Sequence, residues 1–132
     1  MAQPGPGMQQ RVLVHPSFAS TVHFVPGYDV IRSLGVVRGL TVRNPNVGKA
    51  MFAGFASMGG GESSVFMETA EKAREAAMQR LLEHAGAMGA ETGSAGANAI
   101  IGIRYDTQEV MEGMTECLAY GTAVVIQPSQ PK

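Results

Sequence analysis

Residues 35–48 read GVVRGLTVRNPNVG, and the first nine of them set the architecture. Val36, Arg38, Leu40 and Val42 alternate with Val37, Gly39, Thr41 and Arg43. A period of two places these sets on opposite faces of an extended chain. Gly35 and Gly39 fall on the same face, where a missing side chain marks a bulge or the close approach of another backbone. The turn dipeptide Pro26-Gly27 introduces the strand, which runs from Tyr28 to about Arg43 and at that length must bend. It ends at Arg43-Asn44-Pro45-Asn46, a turn signal whose polar groups can cap a following helix.

Working outward toward the N-terminus, residues 11–26 hold short β-type pieces interrupted by Pro16. They read as an extended arm or edge strand, of the kind that lies on a neighbouring subunit. Residues 1–10 carry two prolines, two glycines and nothing to bury, as in a disordered tail. Toward the C-terminus, Met51, Phe55 and Met58 predict a short apolar helix over 47–58, stopped by Gly59-Gly60-Gly61. A second helix follows with Ser63 or Ser64 as N-cap. Its apolar stripe is Phe66, Ala70, Ala73, Ala77, Leu81 and Met88, and Glu68 to Lys72 forms an i,i+4 pair on the other side. An alanine-rich stripe lets a helix approach a sheet closely, which matches the glycines of the first strand. Residues 89–97 read as a flexible glycine-rich loop.

Residues 98–107 form a strand with Ile101, Ile103 and Tyr105 on its apolar face. A polar connection over 109–113 leads to a last strand over 114–127, with Cys117, Ala119, Gly121 and Ala123 on one face and Leu118, Tyr120, Val124 and Ile126 on the other. These two strands pair as a hairpin, and 128–132 is a tail. Residues 11–127 thus make a single α+β domain, a two-layer α/β sandwich with a mainly antiparallel sheet and a long helix across one face. One face and the edges of such a sheet stay open. With 45% hydrophobic and only 16% charged residues, the chain is expected to cover them by forming a homo-oligomeric ring. A net charge of −1 gives no general attraction to nucleic acid or anionic lipid. A lone cysteine, no apolar run of membrane length and no signal-like apolar core near the N-terminus lead us to expect a cytoplasmic protein with neither membrane nor nucleic-acid partners.

Longer stretches carry a resemblance. Tyr28-Asp29-Val30-Ile31, Gly35-Val36-Val37-Arg38-Gly39, Thr41-Val42-Arg43, Asn46-Val47-Gly48-Lys49, ANAIIGIRYDT over 97–107, Gly113-Met114-Thr115-Glu116 and AYGTAV over 119–124 are similar, in collinear order over about 27–126, to the bacterial YbjQ-like family, which bears a heavy-metal-binding label. The resemblance implies a β-α-β-β fold shared in outline with dodecin subunits, and assembly as a homopentamer. It implies no assigned activity. Residues 91–96 look inserted relative to the family, the proline-rich tail is longer, and Cys117 stands where an aliphatic residue is expected.

The residue chemistry leaves two readings of the site open. Arg38, Arg43, Arg104, Asp106 and Glu116 are charges within or at the ends of apolar strands. They serve either as a salt-bridge network fixing register within or between subunits, or as an anion or small-ligand pocket in which Arg38 and Arg104 bind a carboxylate or phosphate with help from Asn44 and Asn46. Zinc-type sites show paired Cys or His at short spacing. Here His15, His23, His84 and Cys117 are scattered, so a metal cofactor is left open only as a site shared between subunits, with Cys117 its weak candidate. No Ser-His-Asp or Cys-His context appears, and the glycine-rich 59–63 lacks the Lys-Ser/Thr of a phosphate loop. The chain is accordingly expected to be a self-assembling binding protein and not an enzyme. The alternative is a small-ligand or heavy-metal carrier with its site at subunit junctions near Arg38, Arg104 and Cys117. Association of pentamers through residues 91–96 or the tails is a further expectation.

Overall fold

The computed structural model describes residues 13–43, 62–88, 96–111 and 114–131. The elements are β1 (Tyr28–Arg43), α1 (Glu62–Ala87), β2 (Ala99–Met111) and β3 (Met114–Pro128), preceded by a 3-10 turn over Pro16–Phe18. The strands form one antiparallel sheet in the order β1-β3-β2. This is the small α+β arrangement expected. The expected helix at 47–58, the tail over 1–10, Asn44, Asn46 and most of the 89–97 loop lie outside the described residues. The described residues divide into two compact units, one within 1–37, 82–103 and 121–132, the other within 38–81 and 104–120.

In the second unit α1 lies directly on β1. A Cβ placed on Gly39 would collide with the Ala77 carbonyl oxygen and stand 2.5 Å from the Leu81 nitrogen, so only glycine fits beneath the helix backbone. Thr41 Oγ1 donates to the Ala73 carbonyl at 3.0 Å, and Arg80 Nη1 donates to the Leu40 carbonyl. The alanine stripe therefore acts as read: Ala77 and Leu81 are fully buried, and Glu68 pairs with Lys72 at 3.7 Å on the solvent side. One detail differs. The helix already begins at Glu62, so Ser63 and Ser64 lie in its first turn and neither is the N-cap.

In the first unit, Val25, Ala99, Val124 and Ile126 form a buried cluster with Phe18, Tyr28 and Ile101 packed against it. Phe18 and Tyr28 meet edge to face at 5.3 Å. Residues of the arm contribute to this core within their own chain. Ala19 makes a parallel bridge to Ile100, Ser20 N–H donates to the Ile100 carbonyl at 2.8 Å, and the Gly102 and Ile103 N–H groups donate to Val22 and Ser20 carbonyls. The arm thereby covers the start of the β2 edge, which would otherwise present unpaired backbone groups.

β2 departs from simple alternation. Gly102 adopts φ +65°, which an L side chain rarely tolerates, and the period of two breaks there. Ile100 and Ile103, three residues apart, are both buried, and a Cβ on Gly121 would lie 3.0 and 3.1 Å from their side chains. The expected face of Ile101, Ile103 and Tyr105 is therefore split. β2 also continues to Met111, so residues 109–111 of the expected connection belong to the strand. At its start, Asn98 imitates a strand residue: its Nδ2 donates to the Ile126 carbonyl at 2.9 Å and its Oδ1 accepts the Ile126 N–H at 2.7 Å. Ala97, assigned to the flexible loop, is buried, and its N–H donates to the Ala85 carbonyl. Gly35, at φ +116°, has nothing nearer its missing Cβ than the Met88 methyl at 3.8 Å, so only Gly39 of the β1 pair marks close approach.

Candidate functional site

The charged residues singled out above divide between the two faces of the second unit. Gly39 and Thr41 face α1, so Arg38, Leu40 and Val42 lie on the opposite face of β1. On β2, Thr107 lies on the helix side, leaving Arg104, Asp106, Gln108 and Val110 on the other. On β3, Thr115 and Cys117 lie on the helix side, leaving Glu116, Leu118 and Tyr120 opposite. Arg38, Arg104, Asp106 and Glu116 thus share the face away from the helix. Their neighbours there stay exposed: Leu40 at 40%, Val42 at 47%, Val110 at 47% and Tyr120 at 38%.

On this face β3 separates β1 from β2, so the backbones of Arg38 and Arg104 are at least roughly 10 Å apart, two strand spacings. Each already takes part in an interaction, and Glu116 accepts a hydrogen bond from Gln108 at 3.3 Å. Cys117 points to the other face, so within one chain it does not join Arg38 and Arg104.

Arg43 alone of the set lies on the helix side. There it lines a cavity of about 120 Å³ with Ala70, Ala73 and Arg74 of α1, Thr107 of β2, and Thr115 and Cys117 of β3. Four elements build it. Ala70 and Ala73 leave the space, and Arg43 and Arg74, both half-buried, supply the charge. Beside it, burial holds the Tyr105 phenol above its ordinary value. The Cys117 thiol and Glu71 act in the same direction and Arg74 opposes them. Arg74, Thr107 and Thr115 were not visible as site residues in the sequence. The available signal was Arg74 directly beside the small pair Ala70 and Ala73, on what otherwise reads as a solvated helix flank.

The motifs quoted at the outset have their counterpart in known proteins. The model of the YbjQ family, described as "Putative heavy-metal-binding", matches residues 18–127. The chain belongs to the YbjQ family. Among its YbjQ relatives, a UPF0145 protein of Solibacter usitatus is 41% identical over 117 residues, covering 89% of this chain and 98% of the relative. A UPF0145 protein of Thermus thermophilus is 44% identical over 111 residues, covering 84% and 91%. One from Sulfurisphaera tokodaii is 42% identical over 110 residues, covering 83% and 90%. The YbjQ family has no assigned function.

The family's metal label can be set against the donors present. Cys117 is the single thiol, and the cavity it lines holds two guanidinium groups and two hydroxyls. Cationic neighbours raise the energy of a bound metal cation, and thiolate-type sites need further soft donors. Among the described residues, no group of three or more His, Cys, Asp or Glu stands close enough to hold a metal ion. The residues around Cys117 do not fit a heavy-metal cation. Among the described residues no helix is long and apolar enough to cross a membrane.

Proposed function

We propose that the protein is a cytoplasmic homo-oligomer, a binding and assembly protein and not a catalyst, that associates through the sheet face opposite α1 in the second unit. The observation supporting this is the composition of that face. Exposed Leu40, Val42, Val110 and Tyr120 are interleaved with two cations, Arg38 and Arg104, and two anions, Asp106 and Glu116. Apolar area provides the driving force for association, and balanced opposite charges allow one copy to pair with another while rejecting misregistered docking. Among the described residues β1 is also an edge strand of the sheet, the kind of edge on which a partner strand pairs. A pentameric ring is the stoichiometry that the family resemblance implies.

Size-exclusion chromatography with light scattering, backed by native mass spectrometry, tests the proposal. The expected mass is five times that of one chain, and Leu40→Glu combined with Val42→Glu is expected to release monomers. A single-chain mass for the unaltered protein at micromolar concentration would overturn the proposal.

A further inference from the structure

We infer that the cavity lined by Arg43, Arg74, Thr107, Thr115 and Cys117 is a binding site for a small oxyanion of the phosphate or sulfate class. Three observations converge. The first is charge: two arginines from different elements line the cavity, and none of its seven lining residues is a carboxylate. Guanidinium groups are donor-only and match tetrahedral oxyanions in shape, and each threonine hydroxyl adds a donor.

The second is size. An apolar cavity of about 150 Å³ holds benzene, with six heavy atoms, and the cavity here measures about 120 Å³. Five heavy atoms fit, whereas a nucleotide does not. The third is construction. Ala70 and Ala73 keep the helix wall short, both arginines are half-buried, and Cys117 in the same lining is buried. Desolvation of this kind strengthens an ion contact beyond what an exposed arginine gives. Glu71, one helical turn before Arg74, is exposed and does not line the cavity. The cavity lies on the helix side of the sheet, away from the face proposed above for assembly.

The test is titration of the full chain with inorganic phosphate and with sulfate at constant ionic strength set by chloride, followed by calorimetry and amide chemical shifts. Saturable binding at one ion per chain is expected, with a dissociation constant of about 1 mM or tighter and shifts concentrated at Thr107, Thr115 and Cys117. Arg74→Gln should weaken it at least tenfold, and Arg43→Gln by a similar factor. Because Arg43 closes a strand and its replacement can unfold the edge, Thr107→Val serves as an independent variant, expected to weaken binding a few-fold with the fold intact by circular dichroism. The monomer-releasing Leu40→Glu and Val42→Glu variant should keep the site. Binding no stronger than the chloride background, or binding unchanged in folded Arg74→Gln and Thr107→Val proteins, would overturn the inference. So would loss of binding in the folded monomer.

Discussion

In the first unit Val25, Phe18 and Tyr28 cover Ala99, Val124 and Ile126, and the arm pairs with β2 from Ile100 to Ile103, while Val30, Ile31 and Val36 of β1 stay exposed. In the second unit α1 covers one face, and the other shows Leu40, Val42, Val110 and Tyr120 to solvent. The same kinds of strand therefore serve two ends. Both units keep exposed apolar side chains, the first around its own packed cluster and the second around the charged cavity.

The contrast can be broken from either side. Gly39→Ala strikes the helix contact of the second unit, where the new methyl meets the Ala77 carbonyl and the Leu81 nitrogen. A loss of about 3 kcal/mol is expected from such overpacking against backbone, read as a fall in denaturant midpoint, with faster hydrogen exchange in 68–81. Asn98→Ala strikes the first unit. It removes both hydrogen bonds to Ile126 and leaves those backbone groups without partners, for a loss of about 2 kcal/mol, with protection lost first at 124–126. Thr41→Val removes a single bond to Ala73 and should lower stability by about 1 kcal/mol by the same measurement.

The smallest expected effect is a pH dependence. Tyr105 has its folded pKa raised above the ordinary 10.0, first by burial, then by Cys117 and Glu71, against the opposing pull of Arg74. The group therefore adds stability that is complete below the unfolded value and fades as pH rises through the folded one. Tyr105→Phe should flatten the decline in melting temperature above pH 10, and an unchanged decline would assign it to other groups.

Much of this fold is legible in the sequence because its strands alternate and its helix repeats. β1 is found from Tyr28 to Arg43, and Gly39 announces its contact because the helix stripe opposite is alanine. What escapes does so for physical reasons. A period of two assumes regular backbone, and Gly102 leaves that regime, so Ile100 and Ile103 come together unannounced. The last part of β2, through Gln108 and Glu109, lacks apolar alternation because neither face is buried there, and it reads as a connection. The arm is recognised by Pro16, but its partner is not, since parallel pairing across about 80 residues leaves no local trace. The cavity is hidden for a similar reason. Arg43, Arg74, Thr107 and Cys117 come from four elements, and nothing in any one of them points to the others.

The strand order has one more consequence. β3 is central, yet it follows β1 and β2 in the chain, so a growing polypeptide emerging from the ribosome holds two strands whose common neighbour has not yet been made. No part of this sheet can close early. Its formation waits for residues 114–128 and then brings distant segments together at once, which predicts slow, all-or-none folding and a nascent chain that depends on protection until its final strand is released.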